Sequence, residues 1–186
     1  MIKAYAKSDI GKVREINQDS YYISGSLDEV QLYMLADGMG GCQGGEIASK
    51  LAIQSAKNYI ENNFKEIEKD RDSIIQLVGS SMEYANMIVY AKSKENKEDR
   101  RNYRKRKKVM RKQTQDHTDV QKIVKEGTIT AEEAVHHPQK NMLMKALGCN
   151  AFVEPDVMVK GFLKEDILII NSDGLTNLVP QEEIFK

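Results

Sequence analysis

Nowhere in the 186 residues does an apolar run approach the roughly 20 needed to span a bilayer, so a helical membrane protein is excluded. The opening MIKAYAKSDIGKVRE lacks the apolar centre of a secretory leader, and the expectation is a chain that is not exported. Only two cysteines occur, Cys42 and Cys149, which make no disulfide framework and suit a reduced, cytoplasmic setting. With three prolines, no Pro- or Ser-rich stretch and no internal repeat, nothing marks a linker. Residues 1–186 read most simply as a single domain, long enough for a core of its own. Neither sign of charge is in excess: 28 Lys and Arg balance 28 Asp and Glu, so no global field favours nucleic acid or a membrane surface.

What the chain does have is concentrated in Gln31–Gly45, QLYMLADGMGGCQGG. Leu32–Ala36 is an apolar run of strand length that stops at Asp37-Gly38, with further glycines directly behind it. Glycine at that density is expensive unless the backbone must approach something closely or turn with positive φ. A carboxylate at the end of a buried strand, beside a bare glycine carbonyl, suits a hard divalent cation that takes oxygen ligands. An ordinary Asp-Gly turn fits the same letters. The pattern recurs in Asp166–Gly174, DILIINSDG, a second apolar run ending in Asp173-Gly174. Upstream, REINQDS places Arg14 and Asp19 just before the β-prone Tyr21-Tyr22-Ile23. Arginine suits a phosphate because its planar fork donates paired hydrogen bonds and stays charged, although a lone arginine also serves as a surface ion-pair partner.

VREINQDS, LADGMGG followed by GGE, and INSDGLTNL together resemble the signatures of the PPM (PP2C-like) metal-dependent protein serine/threonine phosphatases in their compact bacterial form. The stretch TQDHTDVQKIVKEGTITAEEAVHHPQKNMLMKALG also resembles the segment that precedes the family's SDG strand. The resemblance implies an α+β fold: an α-β-β-α sandwich of two mostly antiparallel sheets flanked by helices, with the metal site at one edge. It implies that Arg14 binds substrate phosphate and that Asp19, Asp37, the Gly38 carbonyl and Asp173 belong to a centre of two Mn²⁺ or Mg²⁺ ions. The implied reaction is single-step hydrolysis of phosphoserine and phosphothreonine by a metal-bound hydroxide, with Asp37 bridging the ions. The implied partners are phosphoproteins made by a serine/threonine kinase, and the implied state is a monomer.

Two departures from the family pattern stand out. The two central strands that normally precede a Gly-Asp-Ser-Arg motif are absent, with Asp99-Arg100-Arg101 as a remnant of that motif. No Asp-Asn pair occurs anywhere, although the family's C-terminal Asp-Asn motif supplies another metal ligand. Fewer carboxylates leave more cation charge uncompensated, so weak binding is expected at the ion that relies on Asp173. Missing strands are expected to leave sheet edges unpaired and apolar faces uncovered.

Between these motifs, periodicity predicts a helix over Glu46–Ile60, with Ile47, Ala48, Leu51, Ala52, Ser55, Ala56 and Tyr59 on one face, and another over Ser73–Ala91. Strands are expected at Ile2–Ala6, Val153–Phe162 and, as the buried neighbour of the last, Asp166–Ser172. Asp116–Gly127 reads as a helix stopped by Gly127, Thr130-x-x-Glu133 as a capping box, and Pro180 as the opening of a short last helix. Those two middle helices also fit a helix-turn-helix, a weaker reading beside the phosphatase pattern. His117, His136 and His137 make no zinc site: the last two are adjacent and so point apart on a helix. Residues 100–112 are strongly basic, which allows a nucleic-acid-binding arm, yet Tyr103 alone is poor stacking material. Three function classes follow: a phosphatase; a catalytically impaired relative that binds metal or phosphoprotein without turnover; and a basic interaction module.

Overall fold

The computed structural model describes residues 2–24, 30–39, 44–95, 124, 127–128, 130, 133, 146–164, 166–176 and 178–184. The chain divides into two compact units, one formed by residues 1–99 and 147–170, the other by residues 100–146 and 171–186. Several expectations lie outside the described residues: the basic segment 100–112, the three histidines, Cys42 and most of the helix ending at Gly127. The elements are mixed helix and strand, an α+β arrangement.

In the first unit the β-prone Ser20–Ile23 (β1) pairs antiparallel with Tyr33–Ala36 (β2), in the register Ser20↔Ala36 to Ile23↔Tyr33. The far end is closed by Ser24, whose N–H donates to the Leu32 carbonyl (2.9 Å) and whose hydroxyl accepts from the Leu32 N–H (2.8 Å). Helix α1 then runs Gly44–Asn63 and helix α2 Arg71–Glu95, each longer at both ends than its apolar stripe suggested. Asp70 explains the start of α2. Its carboxylate accepts from the N–H groups of Asp72 (2.8 Å) and Ser73 (3.0 Å) and from the Ser73 hydroxyl (2.7 Å). Those bonds satisfy donors a helix start leaves open, and the Ser73 hydroxyl above all holds the Asp70 carboxyl below the usual carboxylate range.

The helices pack on each other, and α1 also packs on both strands. Many of the buried residues are small: Ala52 and Ala56 of α1 and Leu77, Ala85 and Val89 of α2 are the buried apolar set, and Ser49, Ser55, Ser81 and Asn86 are buried too. Side chains this small let helix axes approach closely. At the rim, the rings of Tyr59 and Tyr84 lie 5.3 Å apart. Ile47, expected on the inner face of α1, is 43 % exposed, and Ser49 takes the inner position. Asn86 holds the later part of this unit to α2. Its side-chain carbonyl accepts from the Gly148 N–H (2.8 Å), and its amide donates to the carbonyls of Asn150 (3.1 Å) and Ala151 (3.2 Å).

Three strand expectations fail. Ile2–Ala6 joins no ladder, and Ile2 and Tyr5 are exposed. Val153–Phe162 is irregular: Val153, Pro155 and Val157 are half-buried while the residues between them face out, and Pro155 has no N–H to give a ladder. Asp166–Ser172 was expected to be its buried neighbour, yet Ile167 is 85 % exposed and Leu168, Ile169 and Ile170 are exposed too. The common reason is the lack of a hydrogen-bonded neighbour among the described residues, without which an apolar run gains neither a ladder nor cover.

In the second unit several local readings hold. Val124 is helical, and Gly127 has φ +73° with its N–H donating to the Val124 carbonyl (3.1 Å), a glycine stop. The capping box closes reciprocally: the Thr130 N–H donates to the Glu133 carboxylate (2.7 Å), and the Glu133 N–H to the Thr130 hydroxyl (3.2 Å). Chiefly through that backbone bond, the Glu133 carboxyl titrates below its ordinary range. Asp173–Thr176 (α3) and Gln181–Ile184 (α4) are single turns, and the Pro180 carbonyl accepts from the N–H groups of Glu183 (3.0 Å) and Ile184 (3.3 Å), as expected of the residue that opens a helix.

Candidate active site

The register of β1 and β2 places Asp19 and Asp37 at one end of the ladder, each one residue beyond the pair Ser20↔Ala36. Asp19 is half-buried and Asp37 exposed. Both make further interactions. An antiparallel pair carries the Cα atoms of directly opposite residues about 4.5–5.5 Å apart, so the backbones of Asp19 and Asp37 leave the ladder side by side.

Gly38 follows and is wedged. A Cβ there would lie 2.1 Å from the Gln18 carbonyl oxygen and 2.5 Å from that of Gly45. Both obstacles are backbone, so no side chain can be accommodated. Gly45, in the first turn of α1, is confined by the Gln18 side chain and the Met39 carbonyl carbon, each 3.0 Å from where its Cβ would stand. The glycine-rich sequence therefore serves close approach: the end of β2, the residue before Asp19 and the start of α1 converge on one another.

The contact is completed by Ser49, which is 3 % exposed on α1. Its hydroxyl donates to the Gln18 carbonyl (2.6 Å) and lies 2.9 Å from the Ser20 hydroxyl. On the other side, the Asp19 N–H donates to the Asn17 side-chain oxygen (3.0 Å), and the Asn17 amide donates to the Ser8 hydroxyl (2.7 Å). The turn before Arg14 has its own brace, the Gly11 N–H donating to Asp9 (2.8 Å).

Of the residues singled out in the sequence, then, Asp19, Asp37 and Gly38 come together at one ladder end. Arg14 lies five residues before Asp19 on an exposed segment of the same unit. Asp173 belongs to the second unit, where it opens α3. Among the described residues, no three His, Cys, Asp or Glu side chains cluster closely enough to hold a metal. Sequence reading missed Gln18 and Ser49. The available signal was the serine of EIAS, three residues before Ala52 and so on the side of α1 that Ala52 and Ala56 share.

Comparison with known proteins supplies the family. A family model described as Protein phosphatase 2C matches residues 12–114, over half the chain. The serine/threonine phosphatase stp of Listeria innocua is 31 % identical over 203 residues, covering 96 % of this chain and 79 % of the relative. The crystal structure of serine/threonine phosphatase Stp1 from Staphylococcus aureus superposes with a TM-score of 0.77 at 30 % identity, covering 95 % of this chain and 78 % of that one. The catalytic domain of serine threonine protein phosphatase PstP in complex with 2 manganese ions matches with a TM-score of 0.53 at 27 % identity, over 81 % of this chain and 68 % of that one. Motifs, fold and relatives converge: the chain belongs to the protein phosphatase 2C (PPM) family of metal-dependent serine/threonine phosphatases.

Proposed function

We propose that this chain hydrolyses phosphoserine and phosphothreonine in proteins phosphorylated by a serine/threonine kinase, using Asp19, Asp37 and the Gly38 carbonyl to hold divalent metal and Arg14 to hold the phosphate. The observation that carries the assignment is the ladder end at which two carboxylates and a side-chain-free carbonyl adjoin. This donor set is all oxygen, which fits Mn²⁺ or Mg²⁺ and not a soft-ligand metal. Manganese is the first ion to test, since a related catalytic domain holds two. Asp173, in the second unit, keeps the ligand role carried by its Asp-Gly motif. Residues 1–186 belong to one phosphatase domain in this reading, which is supported by alignments that take in 96 % of the chain.

Bound divalent cations supply Lewis-acid polarisation of the phosphoryl group and make water a competent nucleophile at neutral pH. The chain's own residues do the rest. The paired carboxylates concentrate the negative charge that cations require, and the bonds around Gln18 hold one of them at a fixed angle. Arg14, on an exposed segment, offers phosphate oxygens a planar fork of paired hydrogen-bond donors. The exposed free thiol of Cys149 suits a reduced compartment and has no part in this chemistry.

The test is manganese-dependent phosphate release from a phosphothreonine peptide. Release that requires manganese and falls to background in Asp37→Asn is the expected result. No release at any manganese concentration, from protein shown to be folded, would sink the reading.

A further inference from the structure

We propose that Ser49 is a positioning residue for Asp19: it fixes the peptide group from which that carboxylate springs, and so sets the metal affinity of the ladder end. The inference rests on the metal-site reading above. The Gln18 carbonyl and the Asp19 N–H are two ends of one peptide group, which is planar and rotates as a unit. Each end has a dedicated partner. Ser49 donates to the oxygen at 2.6 Å, and Asn17 accepts from the N–H at 3.0 Å. With both ends held, the direction in which the Asp19 side chain leaves the backbone is set.

A serine hydroxyl has one proton, and here it has a choice. The alternative acceptor, the Glu46 carbonyl one turn back in α1, is 3.2 Å away, the weaker geometry. The proton therefore goes to Gln18, and the Ser20 hydroxyl at 2.9 Å donates into Ser49. Ser49 thus grips the residues on both sides of Asp19, from a position that is 3 % exposed and cannot substitute water for either bond. The same Gln18 oxygen is the atom that confines Gly38. One buried hydroxyl consequently sets the carbonyl on which both proposed ligand groups are registered. Partners one step removed from a metal typically matter this way, costing about 10- to 100-fold in affinity when removed.

The experiment measures Mn²⁺ dissociation constants directly, from the electron paramagnetic resonance signal of free Mn²⁺, on the full chain and four variants. Asp19→Asn tests the underlying site. Ser49→Ala tests the proposal, Ser20→Ala removes only the donor into Ser49, and Ser55→Ala makes the same change at a buried serine elsewhere on α1. Alanine favours helix over serine, so α1 is expected to form, and circular dichroism checks it. Expected are a dissociation constant raised about 10-fold or more in Ser49→Ala, a smaller rise in Ser20→Ala, and none in Ser55→Ala. Turnover of Ser49→Ala should recover toward the parent value as manganese is raised to saturation.

Weakening in Asp19→Asn without weakening in Ser49→Ala would overturn the proposal and leave the metal site standing. Equal weakening in Ser49→Ala and Ser55→Ala would overturn it as well, because the loss would then belong to the helix. If the parent and Asp19→Asn bind manganese alike, the metal reading has failed and the proposal falls with it. Should Ser49→Ala not fold, Ser20→Ala decides: unchanged affinity there overturns the inference.

Discussion

Two stretches of this chain are written alike and fold differently. Leu32–Ala36 and Ile167–Ile170 are short apolar runs, each leading into Asp-Gly. The first becomes β2, bonded to β1 along its length and half-buried. The second makes no ladder among the described residues, and its four side chains are exposed. Hydrophobic content does not separate them. A strand's N–H and C=O groups need an adjacent strand, and its apolar face needs cover. β2 has both, because nine residues of intervening chain return it to β1 and the start of α1 closes over the end. Among the described residues the later run has neither.

The two Asp-Gly motifs give the sharpest way to break the comparison. Gly38→Ala would force a Cβ to 2.1 Å from a backbone oxygen, whereas the same atom at Gly174 would meet nothing nearer than the Ser172 hydroxyl at 3.8 Å. Gly38→Ala should lose more than about 3 kcal/mol in denaturant unfolding and lose manganese binding with it. Gly174→Ala should unfold within about 0.5 kcal/mol of the parent. Equal losses would mean that the glycines serve chemistry alone.

A smaller contrast concerns apolar residues. Leu77 is 6 % exposed in the α1–α2 contact and Ile167 is 85 % exposed. Leu77→Ala should cost about 2–4 kcal/mol, while Ile167→Ser should stay within about 0.5 kcal/mol. A large loss in Ile167→Ser would show that the run is covered in solution.

The smallest expected effect is at Asp70. Its carboxyl is held low by Ser73, so its contribution is present above the unfolded-state pKa and is lost as pH falls through the lower folded value. Asp70→Ala should melt slightly below the parent at neutral pH, and the two curves should converge as the solution is acidified through that range. A difference that persists in strong acid would assign the effect to something other than the cap.

Much of the site was readable because its chemistry is local. Asp37-Gly38 announces itself by an apolar run stopped by a carboxylate and glycines, and Thr130-x-x-Glu133 closes as written because both partners lie within one helical turn. Asp70 was passed over because it lies in a polar stretch, ahead of the apolar periodicity that marks α2. Ser49 was passed over because the predicted face, right at Ala52, Ser55 and Ala56, is led by Ile47 at its first turn, where burial falls on Gly45 and Ser49 and a serine has no hydropathy to mark it.

By itself the sequence determined the family, the α+β class and the residue types at the candidate site, since these depend on short motifs whose backbone needs are met within a few residues. Tertiary structure alone decided which apolar runs became strands, that Ser49 in place of Ile47 turned inward at the start of α1, and that the glycine beside Asp37 is required by the Gln18 and Gly45 carbonyls. Those outcomes depend on what stands within a few ångströms across the chain. Residues 18, 38, 45 and 49 meet only because β1, β2 and α1 pack together, and spacing along the sequence carries no record of that meeting.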